Sequence, residues 1–346
     1  MTVATLRRGA VLAVAASALL AAPAGAASVD LAGGATTLKL DAKTGKALKS
    51  LGVTVTPTGK ARAGRAGVAF PITGGRIDNA SAAGTIRHTG GLRLKAGKVS
   101  VTLSDFDVRV SKSPSISVKV NGGARLNALR PVLGKAKVTR TAVSTRASGV
   151  AVHLTSAAAK ALNRTFHVSA FKPKLKLGTV VIDAQLKDVV LTGGQTALAL
   201  DPGAASALTS LGVTPGLVGA AVANPDGTFG FPITAGKVNA KTLAGTIDHS
   251  GGISLTAGAA MVQLTDFRID TKAAQLTAVI NGGARAAILD LDLSAPKVAV
   301  DGTAITVGNV PGTLTQGAAD ALNGAFGVTA FTKGLKLGVA TVTGQS

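Results

Sequence analysis

Cysteine, tryptophan, tyrosine and glutamate are all absent from the 346 residues. Without cysteine there is no disulfide framework, thiolate metal centre, iron–sulfur cluster or cysteine nucleophile. Aromatics make up 3% of the chain and all are phenylalanine, so the stacking platforms that hold single-stranded nucleic acid or sugars are missing. Without glutamate, a His-Glu-x-x-His zinc helix cannot be written. What is abundant is small and apolar: 44 glycines and a hydrophobic share of 46%. That is enough to bury the cores of two domains without covalent staples.

The chain opens with Arg7 and Arg8, an apolar run from Gly9 to Leu20, and small residues ending in Ala24-Gly25-Ala26. These are the three regions of a secretion signal, so residues 1–26 read as a signal peptide cleaved after Ala26. The expected address is extracellular or the cell surface. No later stretch reaches the roughly 18 to 20 unbroken apolar residues of a membrane-spanning helix, so no transmembrane anchor is expected.

Shifting the sequence by 160 or 161 residues lays it on itself. Leu38-Lys39-Leu40-Asp41 meets Leu198-Ala199-Leu200-Asp201, and Phe70-Pro71-Ile72-Thr73 meets Phe231-Pro232-Ile233-Thr234. Asn121-Gly122-Gly123-Ala124-Arg125 meets Asn281-Gly282-Gly283-Ala284-Arg285, and Leu175-Lys176-Leu177-Gly178 meets Leu335-Lys336-Leu337-Gly338. The mature chain is therefore a tandem duplication, divided into domains at 27–184 and 185–346.

A fainter half-repeat of strand, short helix and strand lies within each copy. Asp41 starts one such helix and Thr155 the other, both residue types that cap a first turn, and Pro202 sits at the first-turn position of the second copy's helix. Elsewhere apolar and polar residues alternate between glycine-rich turns, as in Val99, Val101 and Leu103 or Ile116, Val118 and Val120. The fold class is mainly β: two tandem β-sandwich-like domains, each with one or two short helices. Before Phe106 and Phe267 the alternation slips phase at Asp105 and Asp266, the mark of a β-bulge.

Of the four histidines, one position is shared by the copies: His88 and His249. Each ends a Gly-Thr-Ile-x-His strand before a glycine turn, on the same face as Ile86 or Ile247, which places it at the rim of an apolar surface. There it can contact a ligand or tie down the turn. His153 and His167 flank a helix in the first copy, where the second has Thr313 and Gly327. A His88–Asp105 acid–base pair would lack a nucleophile, and no Gly-x-Ser-x-Gly elbow is present. Gly91 to Lys98 imitates a phosphate loop, but five residues separate its glycines where four are required. The chain is not expected to be an enzyme.

Charge divides the copies. From Thr36 to Ala184 there are 26 Lys plus Arg against 5 Asp; from Gln185 to Ser346 there are 9 against 10. Lys60, Arg62 and Arg65 lie in a Gly/Ala-rich loop, and Arg87, Arg93 and Lys95 line the outer face of the histidine hairpin, where the second copy has Asp248, Ser254 and Thr256. These six are the candidate contacts for an anionic partner such as acidic wall polymers or lipid head groups. Nucleic acid is not expected, for want of a helix-turn-helix, finger or aromatic sheet signature.

The block from Gly84 to Leu103, running on into Asp105-Phe106, resembles the central block of HtaA-type domains, as does Gly245 to Phe267. The preceding Phe-Pro-Ile-Thr-x-Gly also lies in the corresponding order. The resemblance implies secreted or surface-anchored bacterial domains of mainly β-structure that bind haem, often in tandem. It further implies a haem-ligating tyrosine near the domain start, supported by a histidine of the central block. This chain has no tyrosine, so only the histidine carries over, to His88 and His249, with haem or another flat apolar molecule as ligand. The alternative is a structural or adhesive envelope protein whose cationic first domain grips anionic polymers.

Overall fold

Strict alternation of inward and outward side chains is what makes these strands. In β12 (Lys176–Leu186), Gly178, Val180, Ile182, Ala184 and Leu186 are buried while the residues between them are not. The computed structural model describes residues 28–78 and 81–346, so the signal segment at 1–26 lies outside the described residues. The first copy runs β1 (Ser28–Leu40), α1 (Ala42–Ser50), β2 (Thr54–Thr58), β3 (Arg62–Gly64), β4 (Gly67–Asp78), β5 (Gly84–His88), β6 (Gly91–Ala96) and β7 (Val99–Val110). It continues through β8 (Ser115–Val120), β9 (Arg125–Val132), β10 (Lys137–Thr141), β11 (Ser144–Leu154) and α2 (Ser156–Phe166) to β12.

The second copy repeats this order as β13 (Asp188–Leu191), β14 (Gly193–Leu200), α3 (Pro202–Ser210), β15 (Thr214–Val218), β16 (Val222–Ala223), β17 (Phe229–Asn239), β18 (Gly245–His249) and β19 (Gly252–Ala257). It ends with β20 (Ala260–Asp270), β21 (Gln275–Ile280), β22 (Arg285–Leu291), β23 (Lys297–Asp301), β24 (Ala304–Leu314), α4 (Gln316–Phe326) and β25 (Lys336–Gln345).

The mainly β, sandwich-like architecture closes on itself. In the first copy β7, β5, β4, β1, β12, β11, β9 and β8 are neighbours in turn, and the β7–β8 ladder joins the two ends. In the second, β20, β18, β17, β14, β25, β24, β22 and β21 make the same ring. Each copy is thus an antiparallel eight-strand barrel, a size whose interior is filled by side chains or holds one small ligand. The bulge anticipated at Asp105 and Asp266 is present, with register breaks between Ser104 and Asp107 and between Thr265 and Arg268. Both residues take positive φ, 50° and 51°. The break lets β7 pair with β6 along its first half and with β5 along its second.

Helices close one end of each barrel. Asp41 accepts from the N–H of Lys43 at 3.0 Å, and Thr155 accepts from the N–H of Ala158 at 3.1 Å, as their residue types suggest. Leu48 of α1 and Leu162 and Phe166 of α2 join Leu92, Leu94, Val101 and Val118 in one core cluster. Lys187 alone separates β12 from β13. Across the junction the N–H of Ala142 donates to Gly302 O at 2.9 Å, so equivalent hairpin turns of the two copies meet.

β1 and β12 approach so closely that a side chain at Gly34, φ 101°, would collide with the carbonyl oxygen of Asp183. Gly194, φ 113°, stands in the same relation to Thr343. Gly34→Ala is therefore expected to open the first barrel's ladder and lower the melting temperature by several degrees. Calorimetry checks this, and Gly34→Ser must behave no better than Gly34→Ala.

Candidate functional site

His88 ends β5 opposite Ile72 of β4, and His249 ends β18 opposite Ile233 of β17. Alternation does turn both rings inward with Ile86 and Ile247, but the expected rim position is wrong, since each histidine is only 5% exposed. The strand ends there while the wall does not. The following turn is tied down over the ring, with the N–H of Thr89 donating to Pro71 O and that of Asp105 to Gly90 O.

Inside, each imidazole bridges to two other strands. The Nδ1–H of His88 donates to Phe106 O at 2.9 Å, and because a carbonyl can only accept, the proton belongs on Nδ1. Nε2 then accepts from the Thr36 hydroxyl at 2.7 Å. The second copy repeats this with Phe267 O at 3.1 Å and the Thr196 hydroxyl at 2.7 Å. Burial holds both rings below the usual 6.5. The carbonyl hydrogen bond opposes that shift, as does the charge of Asp107 near His88 and of Asp248 near His249. A neutral imidazole with both nitrogens bonded is chemically quiet. Beside it the Phe70 and Phe106 rings lie 4.8 Å apart between centroids, and those of Phe231 and Phe267 4.9 Å.

Thr36 and Thr196 escaped the reading of the sequence, although the repeat aligns them at the same shift as the surrounding strand. A threonine in an alternating strand carries no mark of a histidine partner until the register places it there. Asp105 is no acid–base partner of His88, whose Nδ1 bonds Phe106 O instead; Asp105 pairs with Lys119 at 3.2 Å. His167 ends α2 in the left-handed conformation, φ 53°, and Gly327 does the same in the second copy, φ 64°. Its role is a helix terminus, and His153 lies apart from it on β11.

The six cations lie on several strands and turns. Arg93 and Lys95 share the exposed face of β6. Arg87 lies on β5 beyond the bulge, across from Asp107. Lys60 and Arg65 are exposed in the turns around β3, while Arg62 donates to the carbonyls of Gly59 at 2.8 Å and Ala61 at 2.9 Å.

Each barrel also holds a cavity of about 230 Å³ on the side away from its helices. Ile86, Val108 and Ile182 line one; their counterparts Ile247, Ile269 and Val342 line the other. His249 and Thr196 face the second cavity directly. In the first copy Thr36 lines the large cavity, and His88 lies on an adjoining pocket of about 30 Å³. No charged side chain lines either large cavity. Among the described residues no group of His, Cys, Asp or Glu is arranged to hold a metal ion, and no helix is long and apolar enough to cross a membrane.

Each copy is thus a closed β-barrel with an interior cavity and a buried, hydrogen-bonded histidine on its wall. Residues 209–331, within the second copy, match the HtaA family model. The chain is also similar to solved structures from Corynebacterium glutamicum. Against the C-terminal domain of HtaA the identity is 14%, with 46% of this chain and 99% of that one covered and a TM-score of 0.34. Against the heme-binding protein HtaB the identity is 11%, with 46% and 95% covered and a TM-score of 0.28. No curated protein matches the sequence.

Two outcomes follow from the buried ring. Unfolding frees an imidazole that protonates at its usual 6.5, whereas the folded ring resists protonation. As pH falls below that value the unfolded chain takes up protons first and stability declines, levelling once the folded rings also protonate; above it the contribution is flat. Urea midpoints measured across this range should fall on acidification, with a smaller slope in His88→Gln/His249→Gln. Thr36→Val keeps the shape but leaves Nε2 without a donor, and is expected to cost about 1–3 kcal/mol in the same assay.

Proposed function

We propose that this is an exported, non-enzymatic binding protein of the HtaA type, each copy of which encloses a small apolar molecule in its barrel, beside the buried histidine. The observation that carries this reading is the apolar cavity repeated at the same place in both copies, about 230 Å³ in each.

The family makes haem the first ligand to test, and the residues present do not fit it. Both histidine nitrogens are engaged. The wall of the second cavity carries no charged side chain to meet a propionate. An apolar cavity of about 150 Å³ holds benzene, so the volume here suits a ligand of one ring or a medium-length hydrocarbon rather than the four linked rings of a porphyrin. In the second copy such a ligand would lie against Phe231, Phe267 and His249, all on the wall. The threonine and carbonyl fix the imidazole as a rigid part of that wall.

Haemin titration is expected to give no Soret shift that depends on His88 or His249. A shift abolished by His88→Ala/His249→Ala would overturn the choice of ligand. Butylbenzene is expected to raise the melting temperature by preferential binding to the folded state. Ala147→Phe/Val307→Phe, which fills both cavities, should remove that response, and a filled variant that still responds sinks the reading.

A second reading rests on charge. Asp41, Asp105, Asp107 and Asp183 of the first copy are already in ion pairs. Arg87, Arg93 and Lys95 have no carboxylate partner among the described residues, and such an excess attracts anionic polymers. Replacing them by the second copy's residues, as Arg87→Asp/Arg93→Ser/Lys95→Thr, is expected to lower the salt needed for elution from an anionic polymer column. Unchanged elution removes this surface from consideration.

A further inference from the structure

The two cavities differ at one end. In the first copy that end is walled by the β10–β11 hairpin, where Val138 and Ala147 face each other across the ladder and both line the cavity. Two positions nearer the turn on each strand, and so on the same face, stand Arg140 and Thr145, again direct partners. Thr145 lines the cavity and is 5% exposed. Its hydroxyl has no hydrogen-bond partner, and neither has the buried Nε–H of Arg140.

No other buried side-chain nitrogen or oxygen among the described residues is left unpaired. The remaining hydroxyls on this wall are accounted for: Thr36 donates to His88 at 2.7 Å and Ser81 to Asp78 at 2.7 Å. At the equivalent ladder positions the second copy carries Val300 and Ile305, which have no polar group to satisfy. The same fold is therefore built without the pair, and the unpaired atoms are a property of the first copy's site.

A buried donor left without an acceptor is costly. Two such donors on ladder partners, Thr145 on the cavity wall and Arg140 next to it with no carboxylate partner among the described residues, match the two oxygens of one carboxylate, and charge-assisted hydrogen bonds of this kind are the strong ones. The rest of the wall, including Ile77, Ile86, Val108, Ile116 and Ile182, matches hydrocarbon. We propose that the first barrel binds a medium-chain carboxylate, its alkyl chain along the apolar wall and its head group accepting from Arg140 Nε–H and Thr145 Oγ1–H. The second barrel, lacking the pair, takes a neutral ligand. This rests on the reading of both cavities as apolar ligand sites and names the ligand class for one of them.

Calorimetric titration of the whole chain with decanoate and with decan-1-ol tests it, since the two share a chain and differ in the head group. Decanoate is expected to bind one site per chain and the alcohol two. Arg140→Val/Thr145→Ile, the second copy's residues, should weaken decanoate about tenfold or more while sparing the alcohol. The melting temperature of that variant should not fall, because two unpaired buried atoms are removed. If the parent binds acid and alcohol at the same number of sites with equal affinity, or if the variant leaves decanoate binding unchanged, the carboxylate assignment is overturned while the apolar-cavity reading stands. If neither compound binds nor raises the melting temperature, both readings fall.

Discussion

Closing a sheet on itself removes its free edges and forces every inward side chain into one shared interior. In both copies that closure uses an irregularity in one long strand, β7 or β20. At Asp105 and Asp266 the backbone turns through positive φ, so that one edge of β7, or of β20, serves two partner strands while the other completes the ring. Removing the bulge would carry Phe106 and Phe267 to the outer face and take away the carbonyl that orients each histidine. The same kink thus sets the wall, the aromatic packing and the imidazole tautomer.

Much of this architecture was legible in the sequence because it follows from local rules that the duplication states twice. Alternation gave the strands, Asp41 and Thr155 gave the helix starts, and the slipped phase before Phe106 gave the bulge. Depth was not legible. Alternation says which face a residue occupies and nothing about how far the neighbouring strands extend past it, so the histidines read as rim residues although the wall runs on beyond them. Cross-strand partners were hidden for a related reason: Thr36 with His88, and Arg140 with Thr145, meet only once the register is known. The copies do differ in sequence at the Arg140–Thr145 pair, but a difference of residue type acquires meaning only when the two positions are seen to be ladder partners, one of them on a cavity wall.

The copies have diverged in two separate ways. On the outside the first has accumulated cations in excess of its carboxylates, spread over several strands and turns rather than gathered in a cleft. At one end of the cavity it carries the unpaired Arg140 and Thr145 where the second copy has Val300 and Ile305, while the histidine and its threonine are kept in both. What the copies share is therefore a scaffold and an orienting bridge, and what separates them is how each end of the scaffold meets charge. Structural identity of the histidine site and chemical difference of the cavity coexist within one fold, in keeping with function residing in the site rather than the architecture.

The first and last strands of each barrel are hydrogen-bonded neighbours: β1 pairs with β12, and β14 with β25. A barrel of this kind cannot begin to seal until its final strand has left the ribosome, so each copy must stay open through nearly its whole synthesis. Loop closure of that length is slow compared with forming a hairpin. With only residues 187–192, which include the short β13, between β12 and β14, the strand that completes the first barrel is followed closely by the strand that starts the second. The order of emergence therefore enforces an order of completion, first barrel before second, and the first cavity exists before the second has walls.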